Sequence, residues 1–164
     1  MPTFAAADPG YEERVRESFS RLTLMKTIGA RLVKVGPGEI DIEMAVRRDL
    51  TQQHGYVAAA IVTAIVDTAC GFAAMSLMPA GSGVVTVEYK VNFMSPARGE
   101  RLLAQGRVVK PGRSLTVCTG DVYEVSGAAP KPVATMLATM VALQGTREIP
   151  TAGETTAPRE PDAD

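Results

Sequence analysis

Strict alternation of apolar and polar residues predicts several strands along the chain. Apolar side chains recur at every second position across residues 39–46, behind a Gly-Pro-Gly turn at 36–38, which predicts a hairpin with one solvated face. The same alternation runs through residues 85–93. Three further strand-like runs follow, at residues 101–109, 114–125 and 133–143. Because only short turns separate these last three runs, we expect them to be antiparallel neighbours in a curved meander.

Two other segments have the pattern of helices. Within residues 11–24, Val15 and Phe19 lie at the spacing of one helical face, which predicts a short amphipathic helix. Residues 57–78 contain a single charged side chain, Asp67, over a length that exceeds an ordinary strand, so we predict a long helix that is apolar all round. A membrane span would bury Asp67 at mid-depth without a flanking basic cluster. Enclosure by the predicted sheet is therefore favoured.

The predicted order of elements is strand, strand, helix and four strands, which is an α+β fold with a long central helix wrapped by a curved antiparallel sheet. A chain of 164 residues fits one folded domain. We expect residues 1–27 to form an N-terminal segment with the short helix, residues 28–145 the domain, and residues 146–164 a disordered acidic tail, because the tail is rich in acids and prolines and poor in apolar residues.

Charge and cysteine content exclude several classes of function. The 17 Lys and Arg residues against 18 Asp and Glu give a formal net charge of -1, so neither nucleic acid nor a membrane is an expected partner. The two cysteines, Cys70 and Cys118, have no Cys-x-x-Cys spacing and no nearby histidine, so we expect neither a metal site nor a disulfide framework. Residues 1–20 lack the pattern of a secretory signal, so we expect a cytoplasmic location.

Asp67 is the most informative residue in the sequence. An ionised carboxylate inside an apolar helix costs several kcal/mol unless it is paired or functional. The positions three and four residues away on the helix hold no cation. Two interpretations remain: Asp67 is a core residue satisfied by a hydrogen bond to a backbone amide or to Thr68, or it is a carboxylate of raised basicity in an apolar cleft.

The beginning of the long helix favours the second interpretation. Three small residues, Ala58, Ala59 and Ala60, follow Gln52 and open the helix, where backbone amides point toward developing negative charge. Ala59 and Asp67 are separated by about 12 Å along a helix axis, too far for one carbonyl group to contact both. Two antiparallel helices across a two-fold axis would bring the amide of one copy beside the carboxylate of the other. A shared site in a homo-oligomer is therefore predicted.

Other residues have both a structural and a functional interpretation. Cys70, three residues after Asp67, is a small core residue or lines the same cleft. His54, the only histidine, is a solvated loop residue or an acid–base catalyst. The basic residues between positions 90 and 113 form a solvated strand face or hold the phosphates of a nucleotide carrier. The carrier-binding interpretation includes Arg98, Lys110 and Arg113, with Ser114 in the same turn.

The sequence resembles the hotdog-fold acyl-CoA thioesterases of the phenylacetate-degradation type. The resemblance lies in LTQQHGYVAAAIVTAIVDTACGFAA, VVTVEYKVNFMSPARGE and VVKPGRSLTV, at residues 50–74, 84–100 and 108–117. That family opens its central helix with (Asn or Gln)-x-x-Gly-x-x-His-Gly-Gly, and an acid follows the histidine after nine residues. Gln52, Gly55 and Asp67 match this pattern. A serine or threonine on the following strand of the family corresponds to Thr86.

The resemblance implies hydrolysis of acyl-CoA thioesters without a metal or cofactor, in a homodimer or a tetramer made of two dimers. Asp67 would act as general base or nucleophile, Gln52 and Thr86 would orient the water, and the Ala59 N–H of the other subunit would bind the thioester oxygen. The expected substrate contacts are Gly55, Ala58, Ala60, Cys70, Arg98, Lys110, Arg113 and Ser114.

One departure from the family pattern leaves two alternatives open. Ala58 stands where the family has its histidine, and Ala59 and Ala60 replace the two glycines. Loss of one oxyanion donor typically costs a factor on the order of a hundred in rate. The first alternative is a non-catalytic module that binds acyl-CoA or regulates. The second is a hydratase or dehydratase on the same fold, in which His54 would be the acid–base group.

Overall fold

A single antiparallel sheet and one long helix form the body of the protein. The computed structural model describes residues 3–127 and 129–145. Its sheet has the strand order β1-β2-β4-β5-β6-β3. The strands are β1 (Ala30–Gly36), β2 (Glu39–Ala45), β3 (Ser82–Phe93), β4 (Arg101–Lys110), β5 (Leu115–Val125) and β6 (Lys131–Gln144). The helices are α1 (Tyr11–Arg21), α2 (Thr23–Ile28) and α3 (Ala59–Met75), and a 3₁₀ turn spans Arg48–Leu50. The predicted α+β class is confirmed. The tail predicted at 146–164 lies outside the described residues.

The N-terminal helix is broken where one continuous helix was predicted. Leu22 has an extended backbone (φ -71°, ψ 97°), and its N–H donates to the carbonyl of Phe19. The chain therefore changes direction between α1 and α2. This change allows Met25 and Ile28 of α2 to be buried in the core.

The long helix is shorter than predicted at both ends, with tertiary hydrogen bonds before its beginning and short-range bonds after its end. The N–H of Val57 donates to the Ala97 carbonyl and that of Ala58 to the Leu50 carbonyl, so the helix begins only at Ala59. After Met75 the chain tightens into bonds between residues three apart, from Leu77 and Met78. The apolar run continues beyond the helix at both ends, and periodicity alone does not mark where the helix stops.

Strand β3 lies at an edge of the sheet instead of beside β4. The predicted antiparallel neighbours β4, β5 and β6 are confirmed. However, β3 pairs with β6, and β4 pairs on its other side with β2. Residues 94–100 carry the chain from the edge strand to the middle of the sheet, across the beginning of α3. The meander therefore consists of β4, β5 and β6, and β3 lies outside it because its connection to β4 crosses over instead of forming a hairpin.

Two paired glycines allow α3 to lie close to the sheet. Gly106 of β4 and Gly120 of β5 are direct partners in the strand register. A Cβ atom on Gly106 would lie 2.3 Å from the backbone carbonyl of Ala69, and one on Gly120 would lie 2.4 Å from Cγ2 of Val66. Neither distance is compatible with a side chain. The buried face of α3, which includes Ala69, therefore contacts strand backbone directly.

Replacing Gly106 by alanine is expected to push α3 away from the sheet and to lower the free energy of unfolding by about 1–3 kcal/mol, as overpacking does. Gly36→Ala is the matched control, because its Cβ would meet its nearest neighbour at 3.8 Å. Denaturant unfolding of both variants measures the effect. Equal stability of Gly106→Ala and Gly36→Ala would show that the close approach of helix and sheet is not constraining.

Candidate active site

Asp67 lies on a flank of α3, half-buried, between the face that packs on the sheet and the opposite open face. Val66 and Cys70 on the packed face are fully buried. On the open face, a Cβ atom added to Gly71 would meet nothing within 4 Å. Oδ1 of Asp67 accepts a hydrogen bond of 2.8 Å from Oγ1 of Thr86. The carboxylate is therefore held by a residue of β3.

A β-bulge in β3 lies directly next to Thr86. The strand register with β6 shifts between Thr86 and Glu88, so Val87 is an extra residue in β3. Such bulges bend a strand and change the direction of its side chains. The Thr86 hydroxyl also lies 3.4 Å from Sδ of Met140, opposite it on β6. Thr86 is thus fixed between the carboxylate and the core.

Burial raises the pKa of the Asp67 carboxyl above its ordinary value of 3.8, and the hydrogen bond from Thr86 lowers it by a smaller amount. The carboxyl borders a cleft of about 680 Å³ between α3, β3 and α1. Phe72, Met75 and Val84 contribute apolar walls to this cleft. A carboxyl group with raised pKa that borders a partly apolar cleft is the pattern expected of a general base.

A second cleft of about 620 Å³ lies at the beginning of α3 and holds the other predicted catalytic residues, Gln52 and Ala59, together with Ala58. Oε1 of Gln52 accepts a hydrogen bond of 2.8 Å from the backbone N–H of His54. Ala58 precedes the helix and makes no side-chain capping hydrogen bond in the described structure. The first amides of α3 therefore depend on other partners.

One copy of the chain does not bring the predicted catalytic residues into one site. Asp67 and Thr86 line the first cleft, whereas Gln52 and Ala59 line the second. Eight residues of helix, about 12 Å, separate Ala59 from Asp67. The structure thus places the predicted catalytic residues in two separate clefts at different levels of α3.

The remaining predicted contacts are spread over the molecule. Gly55 has a positive φ of 81° in the loop beside Gln52, and Ala60 is exposed in the first turn of α3. Cys70 is buried against the sheet, away from Asp67's cleft, and burial raises the pKa of its thiol. The sulfur of Cys118 donates to the Cys70 carbonyl, so both cysteines belong to the core.

The basic residues predicted to bind a carrier lie at opposite ends of α3. The Arg98 guanidinium stands over the ring of Tyr56, 5.1 Å from its centroid, beside the second cleft. Lys110, Arg113 and Ser114 lie at the exposed turn between β4 and β5. That turn is near the other end of the helix, since the Val108 N–H donates to the Gly38 carbonyl and the Gly38 N–H donates to Oγ of Ser76, directly after α3.

Sequence reasoning missed two contributors to these clefts. The ring of Tyr56 lies beneath the Arg98 guanidinium. No pattern in the sequence around Gly55 indicated this contact. Helix α1 lines the cleft of Asp67 with Arg14, Ser18 and other residues. Its amphipathic pattern predicted a packed face but did not indicate what its polar face borders.

No helix in residues 3–127 and 129–145 has both the length and the apolar character needed to cross a membrane. Within the same ranges, no three His, Cys, Asp or Glu side chains come together as metal ligands would.

Comparison with known proteins identifies the family. The model of the thioesterase superfamily matches residues 54–130. A thioesterase family protein from Silicibacter pomeroyi has a solved structure that is 48% identical, with a TM-score of 0.81, and the match covers 83% of this chain and 100% of that chain. The chain belongs to the thioesterase superfamily. The resemblance to hotdog-fold thioesterases that the sequence indicated is confirmed.

More distant thioesterase-superfamily structures share the fold. A thioesterase from Haemophilus influenzae is 18% identical, with a TM-score of 0.72 and coverage of 89% of this chain and 95% of that one. The PaaI protein from the phenylacetic acid degradation operon of E. coli is also 18% identical, with a TM-score of 0.73 and coverage of 83% and 95%. The hotdog architecture predicted from the sequence is therefore shown for this chain.

The raised pKa of Asp67 has a consequence for stability. A carboxyl whose pKa is higher in the folded than in the unfolded chain destabilises the fold once pH rises through the interval between the two values. Asp67→Asn removes the charge and keeps an oxygen that can accept from Thr86. We expect Asp67→Asn to have a higher Tm than the wild type at pH 7, with the difference shrinking as pH falls toward 3.8.

Thermal unfolding of both proteins across this pH range measures the effect, and Asp49→Asn is the control. In the exposed Asp49, the hydrogen bond from Arg47 outweighs burial and lowers the pKa, so removal of this charge should have the opposite sign. A lower Tm for Asp67→Asn at pH 7 would contradict a destabilising buried charge.

Proposed function

We propose that the protein hydrolyses acyl-CoA thioesters at sites shared by two copies of the chain. The observation that carries this proposal is the half-buried Asp67, whose pKa is raised by burial and whose Oδ1 is held by Thr86. Membership of the thioesterase superfamily supports thioester hydrolysis in general. Asp67 as catalyst, CoA as carrier and the shared site are the finer parts of the proposal.

In this proposal, each of the two clefts is half of an active site, and a second copy of the chain supplies the other half. The open face of α3 carries small residues, including Ala60, Ala64 and Gly71, so another helix can approach it closely. Strand β3 is a long edge strand with exposed apolar side chains, and such an edge favours pairing with another strand. These side chains are Val85, Val87, Tyr89 and Phe93. Two copies related by a two-fold axis would cover both features at once.

In such a pair, the α3 helices run antiparallel, and the beginning of each helix approaches Asp67 of the other copy. The thioester oxygen would accept a hydrogen bond from the Ala59 N–H of the second copy, where Gln52 of that copy also lies. Arg98 of one copy and the turn of the other that holds Lys110, Arg113 and Ser114 would come to the same end of the pair. That arrangement would place cations of both copies around the phosphates of CoA.

The chemical steps need only groups that the chain and water supply. As a general base, Asp67 takes a proton from water, and the hydroxide adds to the thioester carbonyl carbon. The tetrahedral intermediate then breaks its C–S bond, and the CoA thiolate leaves with the proton held by Asp67. As a nucleophile, Asp67 would expel the thiolate itself and form an acyl-aspartyl anhydride, which water then cleaves. Both routes require the ionised carboxylate.

Asp67→Asn is expected to lower kcat for acyl-CoA hydrolysis by a factor of about 100 or more, the usual contribution of a general base. Release of free CoA thiol is the measurement, and Asp49→Asn is a control with an exposed carboxylate. His54→Ala is a second control, because a hydratase route through His54 would lose activity in that variant. Full activity of Asp67→Asn would refute the proposed role, and CoA binding without turnover in the wild type would favour the non-catalytic alternative.

Thr86→Val tests the electrostatic part of the same role. The Thr86 hydroxyl lowers the pKa of Asp67, so its loss raises that pKa further. The acidic limb of the kcat/KM profile should move to higher pH in Thr86→Val and return in Thr86→Ser. A profile that stays in place while activity falls would indicate a purely structural role for Thr86.

A further inference from the structure

Helix α1 forms one long wall of the cleft that Asp67 borders. Its residues Arg14, Glu17, Ser18, Arg21 and Leu22 line this cleft opposite α3 and β3. The match to the superfamily model begins at residue 54, so this wall comes from a part of the chain that the match does not include.

Contacts of Arg14 and Phe19 tie α1 to α3, and Val15 ties α1 to the core. The Arg14 guanidinium donates to the Met75 and Met78 carbonyls at 3.3 and 2.8 Å, and to Asp8 at 3.0 Å. Val15 is fully buried. The ring of Phe19 packs edge-on against Phe72, with ring centroids 5.7 Å apart. These ties involve polar and apolar contacts along most of α1, so the wall is fixed in place.

The order of these contacts shows in which direction α1 runs relative to α3. Arg14 lies at the Met75 end of α3, and Phe19, later in α1, lies at Phe72, earlier in α3. Helix α1 therefore runs antiparallel to α3, along the cleft. Asp67 is five residues, about 7.5 Å, from Phe72 and eight residues, about 12 Å, from Met75. Ser18, next to Phe19, borders the cleft at about the level of Phe72.

We propose that α1 determines which acyl groups the cleft accepts, and that the acyl groups are linear chains of medium length such as octanoyl. This inference rests on the proposed function. With the thioester at Asp67, an octanoyl chain extends along the cleft past Phe72 toward Met75. Its apolar carbons contact Phe72, Val84 and Leu143, while α1 limits the width. A propionyl group ends before it reaches the level of Ser18.

Ser18→Leu narrows the cleft at that level, and Ser20→Leu makes the same change on the exposed side of α1, outside the cleft. We expect Ser18→Leu to lower kcat/KM for octanoyl-CoA by about tenfold or more while kcat/KM for propionyl-CoA changes by less than about twofold. Ser20→Leu should leave both values unchanged. Retained propionyl-CoA hydrolysis also shows that the Ser18→Leu variant is folded. Ser18→Val enlarges the side chain less and should lower kcat/KM for octanoyl-CoA by a smaller factor.

Equal losses for both substrates, or no loss in Ser18→Leu, would overturn the inference. So would wild-type enzyme that hydrolyses palmitoyl-CoA as well as octanoyl-CoA. Calorimetry with S-octyl-CoA and S-propyl-CoA, thioethers without a scissile bond, separates this inference from the proposed function. If the wild type hydrolyses no thioester but binds S-octyl-CoA more tightly than S-propyl-CoA, and Ser18→Leu removes that preference, the hydrolase proposal fails and the role of α1 stands.

Discussion

The close approach of α3 to the sheet is the constraint on which the rest of the structure depends. Gly106 and Gly120 leave no side chain between the helix and the strands, so α3 packs directly on β4 and β5. The packed face of the helix is then fully enclosed by apolar contacts, including Val66 and Cys70. A charged residue has no place on that face. Asp67 consequently lies on the flank of the helix, where the cleft and β3 meet.

The position of Asp67 has a cost to folding that its proposed catalytic role would explain. Burial disfavours the ionised carboxylate, and a single hydroxyl from Thr86 offsets only part of this effect. A residue kept for stability alone would be better replaced by a neutral one. The same burial makes the carboxylate more basic, which is useful for removing a proton from water. The bulge in β3 beside Thr86 fits this interpretation, because it fixes the hydroxyl that tunes the carboxylate.

Local patterns in the sequence were sufficient to predict most strands and the central helix, and they singled out Asp67 as a candidate. They were insufficient where contacts distant in sequence decide the structure. The beginning of α3 depends on hydrogen bonds from Val57 to Ala97 and from Ala58 to Leu50, which no periodicity reveals. The edge position of β3 depends on a crossover, since an alternating pattern indicates a strand but not its neighbours. The position of α1 beside the cleft likewise depends on contacts between residues distant in sequence, such as Phe19 and Phe72. The roles of Gln52 and Thr86 came from a family pattern, whereas the choice of Asp67 and Ala59 and their separation along α3 followed from the apolar helix and its rise per residue.

Complementation between two inactive variants tests the shared site most directly. Ala59→Pro removes the proposed oxyanion donor and suits the first position of α3, where proline is tolerated. In a heterodimer of Asp67→Asn and Ala59→Pro chains, co-expressed with different tags and purified through both, one of the two shared sites would have an intact Asp67 and an intact Ala59 N–H. We expect each parent homodimer to be nearly inactive and the heterodimer to regain about half of the wild-type activity. A heterodimer as inactive as its parents would contradict a site built from two copies of the chain.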